Sequence, residues 1–335
     1  MNRRKSTRLG LTLVAILLLA SAALPVETRP TAVPIEAPPI FVGALGSAGT
    51  GNSQFDTPTG VAIHASGVFY VADYSNHRIQ KFNRLGAYET QWGSEGSADG
   101  EFQEPVDVAV DSAGNVYVAD LNNNRIQKFD SSGSFQLKWG SEGLGDGQFQ
   151  NPSSVALDAA GDVYVVDTLN QRIQKFDDSG TYLDQRGSGG SGDSQFAGPY
   201  GVAVDGAGNV YVADRYNHRI QKFSRTGIFL DKWGTQGSGD GQFQTPHDVA
   251  VDGAGNVYVA DTLNHRAQRF DSSGTFLSKW GASGNGNGEF NTPYGVEVTD
   301  AGGIIIADSH NNRLQFFAGP WLEFFRLEPE TPLDH

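Results

Sequence analysis

Tyrosine and histidine side chains follow prolines at a constant spacing in the second half of the sequence. Tyr200, His247 and Tyr294 each come directly after a proline, and successive members of this series are 47 residues apart. Both residue types combine an apolar ring with a polar tip, which suits a partly hydrated pocket. Arg215 would add a fixed positive charge that attracts a carboxylate. These residue types therefore predict a site for an anionic or peptide-like ligand.

Catalytic and metal-binding chemistry has weaker support in the same residues. Asp248 follows His247, but neighbouring residues of a strand point to opposite faces, so the two do not form a dyad by adjacency. A zinc site needs several convergent ligands, and His247 is the only histidine of the proline series. The sequence contains no G-x-S-x-G, Walker or H-E-x-x-H motif. We therefore predict no cofactor, and Zn²⁺ or Ca²⁺ would belong only to an enzymatic alternative.

These side chains lie in a unit that recurs six times. Each copy has a landmark phenylalanine, and the copies follow one another every 47 residues without an insertion, at Phe55, Phe102, Phe149, Phe196, Phe243 and Phe290. A fixed period of this length is typical of repeat architectures. Each copy contains four short runs rich in Val, Ile, Tyr and Phe, bounded by Gly, Asp and Ser, which predicts four strands. In the second copy these strands are a, b, c and d, at 106–110, 116–120, 125–129 and 135–139.

The repeated segments resemble a known family. Residues 76–82 read Asn-His-Arg-Ile-Gln-Lys-Phe, and close copies at 217–223 and 264–270 are similar to the signature of the NHL repeat. The resemblance covers about residues 40–318. It implies an all-β fold, a six-bladed β-propeller with one four-stranded antiparallel blade per repeat. Such blades cover one another's apolar faces in a closed ring.

The resemblance implies little about activity, because one fold hosts many functions. Amidating lyases with NHL-like propellers hold zinc with three histidines that each follow a proline, and here only His247 matches. Some NHL proteins are ubiquitin ligases, but the absence of cysteine excludes a RING module. Others bind RNA, and a net charge of −14 opposes contact with phosphate backbones. The protein is therefore expected to bind no nucleic acid.

Closure of the ring requires a fourth strand for the last blade. Gly46, at the end of the segment 41–46, stands nine residues before Phe55, as Gly140 stands nine residues before Phe149, so this N-terminal segment is in register with strand d. Residues 324–327 also fall at the strand-d position of the last repeat. We expect the N-terminal strand to close the ring, because its connector resembles the internal ones.

Antiparallel strand order places the start of strand a and the end of strand b on one face, here called the top face. The turns on the other face are nearly uniform, whereas the top face varies between blades. We therefore predict a ligand-binding surface at the mouth of the central channel. The candidate residues are Tyr74, Asp107, Tyr200, Arg215, Tyr216, His247, Asp248, Tyr294 and His310. The alternative is neutral variation around a solvent-filled channel.

Residues present in every copy are expected to be structural. An Asp ends each strand b and an Arg follows five residues later, as in Asp120 and Arg125, which predicts an ion pair or hydrogen bond in each blade. His77, His218 and His265 alternate with Asn or Gln at one position, which indicates hydrogen bonding. Each crossover loop has a single Asp, such as Asp146 before Gly147, and this pattern favours a turn over a calcium site.

The N-terminus predicts export. Four basic residues precede an apolar run at 9–24 with a small-residue cleavage site, so we expect a signal peptide at 1–24. An uncleaved anchor is the alternative, although the run is short for a bilayer. Residues 25–39 are predicted to be a proline-rich linker, 40–327 the propeller and 328–335 a tail.

The predicted protein is thus a monomeric binding module that is secreted, periplasmic or at the cell surface. Its expected partners are a protein, a peptide or a small anionic ligand, and it would contact a membrane only through an uncleaved anchor. A metal-dependent lyase or lactonase with its site at the channel mouth is the alternative function.

Overall fold

Antiparallel β-strands form six four-stranded sheets in the computed structural model, which describes residues 36–299 and 302–318. Blade one contains β2 (Pro58–Ile63), β3 (Phe69–Asp73), β4 (Arg78–Phe82) and β5 (Tyr88–Trp92). Blade two contains β6 (Pro105–Val110), β7 (Val116–Asp120), β8 (Arg125–Phe129) and β9 (Phe135–Trp139). Blade three contains β10 (Pro152–Leu157), β11 (Val163–Asp167), β12 (Arg172–Phe176) and β13 (Tyr182–Arg186).

The remaining blades follow the same order. Blade four contains β14 (Pro199–Val204), β15 (Val210–Asp214), β16 (Arg219–Phe223) and β17 (Phe229–Trp233). Blade five contains β18 (Pro246–Val251), β19 (Val257–Asp261), β20 (Arg266–Phe270) and β21 (Phe276–Trp280). Blade six contains β22 (Gly295–Val298), β23 (Gly303–Asp308), β24 (Arg313–Ala318) and β1 (Ile40–Leu45). Short 3₁₀ turns join the second and third strands of five blades, at Tyr74–Asn76, Leu121–Asn123, Arg215–Asn217, Thr262–Asn264 and Ser309–Asn311.

The predicted six-bladed propeller is therefore confirmed. The first strand of each blade contacts the first strands of both neighbouring blades, so β2, β6, β10, β14, β18 and β22 form a ring around a central channel. The second strand is buried along its whole length in each of blades one to six. The apolar core consequently lies between adjacent blades rather than inside one blade.

The landmark phenylalanines fill the space between blades. Phe149 is fully buried and packs against Phe176 with ring centroids 5.6 Å apart. A Cβ atom on Gly140 would lie 2.6 Å from the Phe149 ring, so this close approach requires glycine. The landmark phenylalanines therefore pack between adjacent blades.

The repeated Asp–Arg pair holds the crossover loop to its blade, as the sequence predicts. In blade two Arg125 Nε lies 2.7 Å from Asp120 Oδ2, and the guanidinium also donates to the backbone carbonyls of Ser97, Ala98 and Glu101. The same distance of 2.7 Å recurs in the other five blades. Burial raises the pKa of Asp120, although Asn123, Gln103 and Arg125 act in the opposite direction.

The His, Asn or Gln after the second strand links adjacent blades. The backbone N–H of Thr245 donates to His218 Nδ1 at 3.1 Å, and the N–H of Asn151 donates to Asn124 Oδ1 at 2.9 Å. Each of these acceptors has a left-handed backbone, with φ of 54° for His218 and 51° for Asn124. The predicted hydrogen-bonding role of this position is confirmed.

The N-terminal strand closes the ring, which confirms the sequence-based expectation. β1 pairs antiparallel with β24, with Ile40 opposite Ala318 and Leu45 opposite Leu314. The end of the predicted linker differs from an extended tether, because Glu36 donates its N–H to the Leu277 carbonyl and its carboxylate pairs with Arg269 at 2.5 Å.

Several predicted segments lie outside the described residues. They are the signal peptide or anchor at 1–24, most of the linker at 25–35, the rival strand at 324–327 and the tail at 328–335. Within 36–299 and 302–318, no helix has the length and apolar character needed to cross a bilayer.

Candidate functional site

A register shift follows the proline in five of the six inner strands, and in blades two, three and five it is a β-bulge of one residue. In blade five Pro246 pairs with Asp261 and Asp248 pairs with Ala260, so His247 is the extra residue between them. The same shift occurs at Val106 and Ser153. A bulge leaves its residue out of the regular pairing and changes the direction of its side chain. In these blades the geometry directs the variable residue after the proline toward the channel mouth.

Tyr200, His247 and Tyr294 form one continuous ring stack across blades four, five and six. The centroids of Tyr200 and His247 are 4.7 Å apart with planes inclined by 24°, and those of His247 and Tyr294 are 4.5 Å apart at 28°. The structure thus brings together the three residues that the 47-residue spacing predicts to be neighbours. Offset stacking of this kind holds all three rings in fixed positions.

His247 is more buried than its residue type suggests. Only 4% of its surface is exposed, so the expectation of a half-hydrated imidazole is wrong for this residue, because a tyrosine covers each ring face. Its Nδ1 atom is buried and has no hydrogen-bond partner among the described residues. Burial, and secondarily the charge of Arg215, lowers the pKa of His247 well below its ordinary value. The ring is therefore neutral at pH 7 and offers one unused polar atom.

Arg215 lies beside this stack without an acidic partner. Its guanidinium carbon is 5.3 Å from the Tyr200 centroid and 4.8 Å from the Tyr216 centroid, which is cation–π geometry. Its buried Nε has no hydrogen-bond partner, and no carboxylate of the described residues forms an ion pair with it. A guanidinium held by two rings keeps its N–H groups available for an anion.

The remaining aromatic candidates lie around the same mouth. His310 meets Tyr294 edge-on, with centroids 5.7 Å apart, and Tyr216 is 57% exposed. Tyr74 approaches from blade one, and its hydroxyl donates to Glu104. Burial raises the pKa of Tyr74, with Glu104 acting in the same direction. Glu104 was not singled out in the sequence, although it stands where other blades have Thr, Asn or Gly.

Asp107 and Asp248 lie deeper in the channel rather than at its rim. They line a cavity of about 20 Å³ under the ring stack and also a lower cavity of about 170 Å³. Asp107 accepts from Ser154 Oγ at 2.7 Å and from the Val155 N–H at 2.9 Å, and Asp248 accepts from the Val296 N–H at 2.9 Å. These bonds join neighbouring inner strands, so both carboxylates have a structural task.

Glu297 adds a third carboxylate to the channel, and sequence reasoning missed it. The five other blades have alanine at this position, which was the available signal. Burial raises the pKa of Asp107 to about 6. Burial raises the pKa of Asp248 and of Glu297 well above the usual range, and the neighbouring carboxylates reinforce both shifts. Folding therefore favours the protonated form of each of these carboxyl groups.

The channel mouth combines polar, charged and aromatic groups. In the described ranges 36–299 and 302–318, no three His, Cys, Asp or Glu side chains are close enough to hold a metal ion together. What the mouth does offer is a neutral imidazole, an unpaired guanidinium and several tyrosine rings. Such a set can bind a carboxylate and pack against the apolar group attached to it.

Known proteins share the repeat and the fold. A family model described as the NHL repeat matches residues 55–82, 102–129, 149–176, 196–223, 243–270 and 290–317. No curated protein sequence matches the chain. A protein of unknown function from Bacteroides thetaiotaomicron is similar in structure, with TM-score 0.63 and 19% identity over 82% of this chain and 76% of that one.

Two solved enzymes have the same architecture. A virginiamycin B lyase from Staphylococcus aureus gives TM-score 0.56 and 14% identity, over 80% of this chain and 97% of the lyase. A gluconolactonase from Xanthomonas campestris gives TM-score 0.61 and 14% identity, over 86% of this chain and 99% of the enzyme. At these sequence identities the similarity shows a shared fold and nothing further.

Proposed function

The chain belongs to the NHL-repeat family, and we propose that this propeller is a ligand-binding module whose site is the channel mouth. The ligand class is a carboxylate attached to an apolar or peptide-like group. We place the module outside the cytoplasm, because the sequence at 1–24 has the composition of an export signal. Mass spectrometry of the exported protein would test that placement through the mature N-terminus.

One observation carries the proposal. Arg215 has a guanidinium without an ion-pair partner in a protein with a net charge of −14, and two tyrosine rings hold it at the mouth. The repeat does not require this residue, because the equivalent positions are Tyr74, Leu121, Thr168, Thr262 and Ser309. An unpaired cation beside a half-enclosed aromatic surface has the chemistry of a carboxylate site.

His247 supports the same ligand class. Its unpartnered Nδ1 is buried next to the cavity under the stack, and a buried polar atom without a partner costs free energy until a ligand or water satisfies it. A neutral imidazole that donates to a carboxylate would satisfy this atom. Tyr200 and Tyr294 would then cover the apolar part of the ligand.

Calorimetry with N-acetyl-alanyl-alanine and its C-terminal amide tests the proposal. The free carboxylate should bind at least about tenfold more tightly than the amide, because only the carboxylate can pair with Arg215. Acetate as a third probe separates recognition of the carboxylate alone from recognition of a peptide. Arg215→Leu, which copies the residue of blade two, should abolish the difference between acid and amide. Leu121→Ala, at the same loop position, should leave it unchanged.

An enzyme is the second candidate, because a lyase and a lactonase have the same fold. In that case the channel mouth would hold a metal ion and the carboxylate ligand would be a substrate or product. Elemental analysis of the purified protein separates the two candidates. Stoichiometric zinc or calcium that is lost in His247→Phe would favour the enzyme, whereas acid-selective binding by metal-free protein would favour the binding module.

A further inference from the structure

Tryptophan side chains fill a slot between adjacent blades at four places in the ring. Trp92, Trp139, Trp233 and Trp280 each end the outer strand of their blade. Each indole meets a tyrosine of its own blade at 6.1 to 6.4 Å between centroids. Each also meets a phenylalanine of the next blade at 5.8 to 6.0 Å. The four interfaces therefore share one geometry for holding an indole.

Blade three has Arg186 where four other outer strands have tryptophan, and the outer strand of blade six, β1, has Leu45. Its guanidinium donates from Nη1 to Asp184 Oδ1 at 2.5 Å and to the Gln185 carbonyl at 2.6 Å, and from Nη2 to the Thr226 carbonyl of blade four at 3.3 Å. The Arg186 side chain is 42% exposed, so these contacts hold it weakly. Nε, Cδ and Cγ of Arg186 lie over Gly227, as the indole of Trp139 lies over Gly180. The position is thus occupied by a side chain that does not fill it.

A cavity of about 40 Å³ remains between blades three and four. Its apolar walls are Tyr164, Ile173, Phe196, Val210 and Phe223. These residues have 5%, 6%, 1%, 6% and 4% of their surface exposed, in that order. At the equivalent interface between blades two and three, which Trp139 covers, Tyr117, Ile126, Phe149, Val163 and Phe176 are all 0% exposed. The missing indole therefore leaves this core surface slightly exposed, whereas the equivalent surface under Trp139 is fully covered.

The same interface lacks a second contact that its neighbours have. Lys128 of blade two donates to the Asp178 carbonyl of blade three at 3.2 Å, and Lys222 of blade four donates to the Ser272 carbonyl of blade five at 2.9 Å. The equivalent Lys175 turns back to Asp162 of its own blade at 2.6 Å. Arg225 occupies the position that the lysine would reach, and it lies exposed at the rim of the cavity.

We propose that this slot, formed by Tyr164, Ile173, Phe196, Val210 and Phe223, binds the indole of a tryptophan presented by a partner polypeptide. The occupant follows from the protein itself, because four equivalent slots are filled by indole rings. Water bound to apolar walls is poorly held, so an aromatic ring that displaces it gains free energy. Tryptophan is also the residue type that most often anchors a protein interface.

Charge defines the partner further. Arg225 has no ion pair or hydrogen bond from its guanidinium among the described residues. Arg186 leaves the slot when its partly exposed bonds to Asp184, Gln185 and Thr226 break, and exposed bonds of this kind contribute little stability. A carboxylate next to the tryptophan of the partner would pair with Arg225 at the rim. The slot lies at the outer strands, away from the channel mouth, so this proposal is independent of the ligand site proposed above.

Fluorine NMR of a short peptide tests the slot without interference from the protein's own tryptophans. The probe is acetyl-Gly-Asp-Trp-Asp-Gly-amide with 5-fluorotryptophan. The wild-type protein should broaden and shift the fluorine resonance, and the unlabelled peptide should reverse the effect by competition. The same peptide with alanine in place of tryptophan should not compete. Failure of the wild-type protein to affect the resonance, or competition by the alanine peptide, would overturn the proposal.

Two variants complete the test. Arg186→Trp fills the slot from within the chain and should abolish binding while raising the melting temperature. Trp233→Arg opens the equivalent slot between blades four and five, and Ser272→Arg supplies the rim charge that Arg225 gives the natural slot, so the two together should restore binding in the Arg186→Trp background. A melting curve for each protein shows that the variants are folded. If Arg186→Trp binds the peptide as tightly as the wild-type protein, the peptide binds elsewhere and the proposal is wrong.

Discussion

The imidazole ring of His247 stacks on the phenol ring of Tyr294, with centroids 4.5 Å apart. The two residues belong to different blades, so this contact joins blades five and six at the channel mouth. Because the same imidazole also stacks on Tyr200 of blade four, a single side chain links three blades. Its ring therefore contributes to the packing of the mouth, while its free Nδ1 atom can contribute to binding.

His247→Phe should separate these two contributions. The phenyl ring keeps the stack, so we expect the melting temperature to stay within a few degrees of wild type, but the variant has no atom to bond to a carboxylate. Binding of N-acetyl-alanyl-alanine should fall at least about tenfold. His247→Ala also removes the packing and should cost about 2–4 kcal/mol of unfolding free energy. Tight acid-selective binding by the Phe variant would show that the imidazole is only a spacer.

The buried Asp–Arg pair should matter far more than a surface pair of similar length. Arg125→Leu leaves the Asp120 carboxylate buried without its cation, which typically costs about 3–5 kcal/mol of unfolding free energy. Lys138 pairs with Asp99 at 2.6 Å, but the two side chains are 45% and 53% exposed. Lys138→Ala should therefore change stability by less than about 1 kcal/mol. Urea denaturation of both variants measures the contrast, and equal costs would refute the structural role of the repeat pair.

Glu297→Ala, which gives blade six the residue of the other five blades, should stabilise the protein above neutral pH. The folded-state pKa of Glu297 is raised, so the folded protein holds this proton at pH values where the unfolded chain has lost it. The stability from this group is therefore full at low pH and is lost as pH rises through the folded pKa. The gain from Glu297→Ala should be large at about pH 8 and small at about pH 5.

Melting curves across this pH range measure that difference. Each kcal/mol corresponds to about 1.5 °C in melting temperature for a folded unit of this size, because the unfolding entropy is about 2.1 cal/mol/K per residue. The exposed residue Glu142 supplies the control, because Glu142→Ala should give a difference that does not vary with pH. A gain from Glu297→Ala that is the same at both ends of the range would contradict the shifted protonation.

Two truncations compare how much the closing strand β1 and the sequence before it contribute to stability. Deletion of residues 1–47 removes β1 and exposes the edge of β24, so we expect a sharp fall in melting temperature or aggregation. Deletion of residues 1–34 keeps β1 and Glu36 and should melt close to the full chain. Equal melting of both truncations would show that β1 is dispensable for closure.

Sequence periodicity predicted the architecture because every copy repeats the same core. Sequence spacing alone identifies the landmark phenylalanines, the Asp–Arg pair and the register of residues 41–46. Equal spacing in the sequence places these residues at equivalent positions in each blade. The clustering of Tyr200, His247 and Tyr294 followed from the same logic. Equivalent positions on adjacent blades of a ring are neighbours in space.

Burial and pairing could not be predicted in the same way. The sequence does not show that a β-bulge at His247 would turn its ring between two tyrosines, nor that Arg215 would have no acidic partner. Glu297 and Arg186 were visible as departures from the repeat, but their significance depends on what surrounds them. One stands among carboxylates in the channel, and the other leaves a core surface slightly exposed.

The pairing of β1 with β24 also fixes the order of events during synthesis. The strand that leaves the ribosome first among the propeller strands has as its partner the strand that leaves last. The entropic cost of closing such a long loop grows only slowly with its length, by about 0.6 kcal/mol per doubling. The time between synthesis of β1 and synthesis of β24 therefore limits closure more than their separation in the sequence does. A nascent chain that stops before residue 313 therefore has no partner for β1. The ring can close only after the sixth repeat is complete, and incomplete chains keep an open edge that proteases and chaperones can recognise.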